Sequence, residues 1–329
     1  MDYRERNCFD LLRHFAAYMV LFSHHFALSG IQEPMAGTFG SLGHVAVAIF
    51  FAISGYFMPQ SFARSEGFLA FMNKRCRRIF PALIVCSFFM LYVIGGYYIP
   101  GDKLTYLLSY DTFKSFIENS ILIQQKVPGV FSDFIFKDTI NGSLWTLPIE
   151  FACYIIIGFL LSFSRNWKST SIFLITSFLL SLILSYTTEY YSFYTIPLKT
   201  LASLGISFAV GALLCQTQEQ WIKYKWKLFF LSVVLFLAII DRAEIKVLGM
   251  ILIPVIIIVL GVSFSDKVIK GRFDLSYGVY IYAFPVQQII INRLIASFWL
   301  AMIISALATT IMAYLSYRFI EKPFISRKK

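Results

Sequence analysis

Charged residues are scarce in this sequence: Asp, Glu, Lys and Arg make up 14% of its 329 residues, against about a quarter in an average soluble domain. That scarcity argues against a soluble globular enzyme. Cysteines are few and lack any pairing pattern. Cys8, Cys76, Cys86, Cys153 and Cys215 stand singly, mostly inside apolar stretches, with neither a Cys-x-x-Cys spacing nor a Cys/His ligand set. They read as packing residues, and neither a disulfide framework nor a metal site is expected. Acids are outnumbered, 18 against 29 Lys and Arg, for a formal charge of +11. Such a balance suits nucleic acid when the cations form one soluble patch. Here they sit in short segments between hydrophobic runs, so no nucleic-acid partner is expected. No internal repeat, low-complexity tract or soluble domain is visible.

Apolar surface is what the chain has in excess. Hydrophobic residues make up 58% and aromatics 18%, and the mean hydropathy is +0.71. That is more than one core can hide, and the surplus must face lipid. The chain therefore reads as all-α, a polytopic integral membrane protein with one membrane domain over 1–329. About 20 apolar residues cross a bilayer as a helix. Ten such runs are present, at roughly 11–30, 44–60, 79–100, 143–164, 169–187, 197–216, 226–240, 245–263, 275–295 and 297–320. With Arg4 and Arg6 inside, 21 of the 29 basic residues fall on the cytoplasmic side and 8 on the other. The positive-inside rule then places both termini in the cytoplasm. The one long extracytoplasmic segment, 101–142, contains Phe116–Gln124, which reads as a short helix at or in the bilayer surface.

An ionisable side chain at membrane depth costs at least about 2.5–3.5 kcal/mol, so each calls for a partner or a task. Arg13 and His24 in the first run are eleven residues apart, within about 20° of one helical stripe and separated by roughly 16 Å along it. One face thus carries a cation near the cytoplasm and an imidazole near the outer leaflet. The plain alternative is a positive-inside anchor plus a histidine bonded within the bundle. His25 points about 100° away from His24, and His14 and His44 lie near run ends, where an interfacial role is the default. Glu150 lies about two turns into the fourth run, within Ser143-Leu144-Trp145-Thr146-Leu147-Pro148-Ile149-Glu150. Paired with His24, it would fix the tautomer and raise the basicity of the imidazole, as a general base requires. The alternative is a buried acid bonded to a Tyr or a backbone group. Arg75 and Arg78, three apart on a helix entering the membrane at the third run, can present two guanidinium forks to a phosphate-bearing cytoplasmic donor. Orientation and anionic lipid would explain them too. The small residues of Phe50-Phe51-Ala52-Ile53-Ser54-Gly55-Tyr56 allow close helix approach.

Taken in order, these stretches resemble acyltransferase family 3, the membrane O-acyltransferases of cell-surface polysaccharides. Arg13-x10-His24, Phe50–Tyr56, Arg75-x-x-Arg78 before Ile79-Phe80-Pro81, Ser143–Glu150, and Ile320-Glu321-Lys322-Pro323-Phe324 each match a family block, over nearly the whole chain. One position departs: Ala283 precedes Phe284-Pro285 where relatives commonly have His. Larger relatives carry an extracytoplasmic hydrolase-like domain, and this sequence ends at Lys329 without one. The resemblance implies multi-pass residence in a bacterial inner or plasma membrane. It implies an acyl-CoA donor, usually acetyl-CoA, entering from the cytoplasm, a glycan acceptor such as lipopolysaccharide or exopolysaccharide, and no bound cofactor. Arg13, Arg75 and Arg78 would hold the anionic coenzyme A. His24 would act as base or as transient acyl carrier, with Glu150 orienting it, and Ser143, Trp145 and Tyr280 would line the acceptor side. The competing readings are a transporter or flippase of a glycan or small anion, and acyl transfer to lipid or protein. The first calls for broken helices or an inverted repeat, which the sequence does not clearly show.

Overall fold

The computed structural model describes residues 7–123, 127 and 129–325. Arg4, Arg6, Gln124 and the end of the chain at Lys329 lie outside the described residues. Helices cover all ten apolar runs: α1 Phe9–Leu28, α2 Leu42–Ala63, α3 Phe68–Tyr98, α4 Leu144–Phe163, α5 Trp167–Ser185, α6 Leu198–Gln216, α7 Lys225–Ile239, α8 Ala243–Ser263, α9 Ser276–Ile289 and α10 Phe298–Ile325. Among the described residues, seven of these (α2 to α6, α8 and α10) are long and apolar enough to cross a membrane. Helix α7, with 15 residues, is only about 22 Å long against a hydrocarbon core of roughly 30 Å. The only strands among the described residues are two short antiparallel hairpins, Met35–Ala36 with Gly40–Ser41 and Ser192–Phe193 with Ile196–Pro197.

Two boundaries differ from the sequence reading. Helix α3 begins well before the apolar run at 79, so Arg75 and Arg78 lie, as expected, on a helix that leads into that run, and the helix is longer than the run. The extension is held by Phe71, fully buried, whose ring packs 5.4 Å from that of Phe62 and fills the space left by Gly158. The short helix expected at 116–124 instead spans Tyr110–Ser120, after a first one at Lys103–Leu108. Ser109 starts it by accepting from the Thr112 N–H at 3.1 Å, and Leu122, at φ 71°, follows its end.

The chain divides into two compact units. The first comprises the residues up to Ala16, Met35–Arg75 and Pro148–Phe273. Its centre is the contact of α2 with α6, where glycine takes the place of side chains. A Cβ on Gly55 would lie 1.9 Å from the Phe208 carbonyl oxygen, and one on Gly211 would lie 2.0 Å from that of Ala52. The Ser54-Gly55 pair thus does what small residues do in lipid and brings two backbones together. Gly55→Ala is expected to destabilise the unit by roughly 1–3 kcal/mol, since the helices must separate to admit one methyl group. A clear fall in melting temperature of the detergent-solubilised protein checks it; an unchanged midpoint would mean that the two helices are not in register at these glycines. Pro254 in α8 has no N–H for the Met250 carbonyl, and Ser207 Oγ of α6 donates to that freed oxygen at 2.9 Å.

The second unit comprises Ala17–Pro34, Cys76–Leu147 and the chain from Asp274 on. Pro285 in α9 leaves the Ile281 carbonyl without its helical donor, and Asn141 Nδ2 takes it at 2.7 Å, with Cys86 Sγ at 3.4 Å. Residues 129–143 have no regular α-helix of their own, and side chains from the end of α9 and from the π-helical turn Ile290–Leu294 after it satisfy their backbone. Gln288 Nε2 donates to the Phe136 and Thr139 carbonyls, and Asn292 Oδ1 accepts from the Ile135 N–H. Arg293 pairs with Asp133 and lies 4.8 Å from the centre of the Phe134 ring. The hydrogen bond from Arg293 holds the Asp133 carboxyl below its ordinary value. Because this pair is exposed, it fixes geometry more than it contributes stability.

Candidate active site

The second unit assembles a histidine and its support. His24 lies in the uninterrupted helix α1, which also carries Arg13. It is half-buried, its Nδ1 stands 3.4 Å from Ser143 Oγ, and its ring meets Phe284 edge-on at 5.5 Å. Ser143 is fully buried and fixed at both backbone groups. Its N–H donates to Asn141 Oδ1 at 3.0 Å, and its carbonyl accepts from the Tyr280 hydroxyl at 2.7 Å. Asn141 in turn hangs on the carbonyl that Pro285 frees. Gly142 makes room for Phe284, whose ring atoms would lie 2.7 Å from a Cβ there. One chain of contacts therefore runs from a proline in α9 to the serine beside His24.

Tyr280, read from the sequence as lining the acceptor side, is buried. Its hydroxyl lies between the Ser143 carbonyl and Thr146 Oγ1, 2.5 Å away, so within this unit it holds Ser143 in place. Trp145, three residues before Pro148, is 37% exposed. Ala283 is buried in α9 beside Phe284. His25, the neighbour of His24, is fully buried, with Nε2 3.0 Å from the Phe298 carbonyl and Nδ1 3.1 Å from Gln287 Nε2. Arg78 forms a 2.5 Å ion pair with Asp274, whose other oxygen accepts from the Ser276 N–H at the start of α9. Glu321, known from the sequence only as part of the closing block, is a buried acid that accepts from Ser316 Oγ at 3.1 Å.

The first unit holds the other predicted residues. Glu150 takes two hydrogen bonds on one oxygen, from Ser54 Oγ at 2.7 Å and from the Tyr154 hydroxyl at 2.5 Å. Arg75 stands 5.8 Å from the Tyr154 ring centre and 5.7 Å from that of Phe71, and it donates to Ser61 Oγ at 3.1 Å. Glu150 and Arg75 are thereby gathered around one tyrosine. Arg13 lies 5.1 Å from the Phe57 ring centre and 3.8 Å from Asp10. His14 is buried, and its Nδ1 donates to the Asp10 carbonyl at 2.7 Å. The sequence reading had left out Tyr154, Ser54, Asn141, Thr146 and Asp274. Tyr154 was findable, lying four residues after Glu150 on one helical face, and Asp274 was findable as a helix-start residue. Ser54 carried no such signal, being 96 positions from its partner.

No group of three or more His, Cys, Asp or Glu that could hold a metal ion occurs among the described residues. A half-exposed imidazole beside a fixed serine can accept a proton or attack a carbonyl. The two arginines beside aromatic rings suit a phosphate-bearing ligand.

The family model described as an acyltransferase domain matches residues 6–318. An O-acetyl transferase of Shigella phage Sf6 is 40% identical over 324 residues, covering 98% of this chain and 96% of its own. Nodulation protein 10 of Rhizobium leguminosarum bv. viciae is 29% identical over 353 residues, covering 97% of this chain and 93% of its own. No solved structure matches. With the acyltransferase domain accounting for nearly its whole length, the chain belongs to acyltransferase family 3.

Proposed function

We propose that the protein is a membrane O-acetyltransferase that moves an acetyl group from cytoplasmic acetyl-CoA to a sugar hydroxyl of a cell-surface or lipid-linked glycan. The reading places it in a bacterial inner or plasma membrane with both termini in the cytoplasm. The observation that carries it is His24 held beside Ser143 in a chain that matches the phage O-acetyl transferase from end to end.

In this reading His24 and Glu150 carry the transfer. When Nδ1–H faces Ser143 Oγ, the lone pair on Nε2 is left for the substrate. Nε2 takes the proton of the sugar hydroxyl as its oxygen attacks the thioester carbonyl. The C–S bond breaks, an acetate ester forms, and the imidazolium returns the proton to the departing thiolate. The same lone pair serves if the acetyl group rests first on Nε2. Arg13, Arg75 and Arg78 hold the phosphates of the donor. Ser143 and Tyr280 keep the imidazole in place, and the exposed ring of Trp145 offers a face to sugar C–H groups.

Mass spectrometry of the surface glycans of a host with and without the chain tests the reaction, because added acetyl mass also identifies the modified sugar. Glycans of unchanged mass would overturn it. For the donor site, Arg75→Gln with Arg78→Gln is expected to raise KM for acetyl-CoA by roughly tenfold, the worth of a lost charge-assisted hydrogen bond, while acceptor preference stays the same. An unchanged KM returns both arginines to membrane orientation.

A further inference from the structure

The first unit contains a second candidate site. A cavity of about 840 Å³ opens among the start of α2, the end of α5, the start of α6 and the start of α8. Its size falls within the range of roughly 300–1,000 Å³ typical of ligand sites. Two of the four helices, α2 and α6, present α-helical N-terminal ends, where the helix dipole favours negative charge, and α8 presents the 3-10 turn Ala243–Leu248 that leads into it.

The side chains point the same way. The lining holds two lysines, Lys199 and Lys246, and one carboxylate, Glu244, so its fixed charge is positive. Between them stand hydroxyls, among them Thr200 and Ser203, and the His44 ring, which packs 5.3 Å from Phe39. The wall that bears His44 is rigid. The Met35–Ser41 hairpin is pinned to the end of α7 by the Thr38 N–H, which donates to the Ile240 carbonyl at 2.8 Å, and Ser41 Oγ accepts from the His44 N–H at the start of α2. In the orientation proposed above, every one of these helix ends is extracytoplasmic. A coenzyme supplied from the cytoplasm does not meet this cavity first.

We propose that the cavity binds an acidic saccharide, its two lysines taking a carboxylate or phosphate and its hydroxyls the ring hydroxyls. This rests on the glycan-acceptor reading and narrows it to glycans that carry an anionic sugar. A neutral glycan would gain nothing from the positive charge that two lysines leave over one carboxylate.

The test uses full-length protein in phosphatidylcholine nanodiscs, with binding followed by calorimetry. The probes are a tetrasaccharide of uronic acid and a neutral glucose tetrasaccharide. The acidic probe is expected to bind at least roughly tenfold more tightly than the neutral one, a margin that Lys199→Gln with Lys246→Gln removes. Both lysines are exposed, so the substitutions do not threaten folding. Equal binding of the two probes, or a margin that survives the double substitution, overturns the proposal. Nanodiscs containing phosphatidylglycerol separate the two sources of anion. If that lipid abolishes binding of the acidic probe in the wild type, the cavity is a lipid headgroup site and the saccharide proposal falls. A wild type that binds the probe through both lysines but acetylates no glycan upholds the cavity and overturns the acceptor reading. Acetylation of glycan with KM unmoved by the double substitution overturns the cavity alone.

Discussion

Replacing His24 with alanine is expected to lower acetyl transfer by about 10²–10⁴-fold, the usual contribution of a positioned acid–base group, while the protein folds and inserts as before. The side chain is half-buried, its hydrogen-bond contact is the Ser143 hydroxyl at 3.4 Å, Glu33 lies within range of its charge, and its ring touches Phe284 only at the edge. Little structure is lost with it. His25 provides the contrast, since it bridges the Phe298 carbonyl and Gln287 in a fully buried position. His25→Ala is expected to lower the melting temperature and the yield, with activity per folded molecule largely kept. Initial rates with acetyl-CoA, normalised to the folded fraction, separate the two. A His24→Ala protein that still acetylates glycan at the wild-type rate would remove His24 from the chemistry.

The support beneath His24 explains why only part of this site can be read from sequence. The helices were legible because a long apolar run has few other solutions in lipid. The Arg13 and His24 stripe followed from helical period alone. The link from Pro285 to Ser143 did not, although each piece of it was visible. A proline in a helix announces a carbonyl without its donor, yet nothing in the sequence says that Asn141 is the group that finds Ile281. The same holds for residues 129–143, whose bonds run from side chains of α9 to backbone carbonyls and so leave no mark on their composition. The charged groups were easy to locate and hard to pair. Arg78 was read as one half of a two-arginine clamp, whereas the structure gives it Asp274. Glu150 was read as a partner for His24 or for a tyrosine. The bonds it makes within its own unit go to Tyr154, one helical turn away, and to Ser54, which only folding brings near.

Those two bonds also decide how Glu150 should be tested. Glu150→Ala removes the acceptor for the Ser54 and Tyr154 hydroxyls at once, and leaving buried hydroxyls unsatisfied costs about 1–3 kcal/mol each. A loss of activity there would be ambiguous. Glu150→Gln retains a carbonyl oxygen that both hydroxyls can reach, with nearly the same shape, and changes only the charge beside Tyr154. If Glu150 serves transfer through its charge, Glu150→Gln is expected to lower kcat by about 10²-fold, the lower end of an acid–base contribution, with a melting temperature near that of the wild type. Tyr154→Phe with Ser54→Ala removes the donors and leaves the carboxylate, so it is expected to cost stability more than rate. If Glu150 is only an anchor for α2 and α4, the pattern reverses: Glu150→Gln is fully active, and the double substitution is as damaging as Glu150→Ala. Turnover and melting temperature measured on the same four proteins distinguish the two cases, because a hydrogen-bond anchor tolerates an amide and a charge does not.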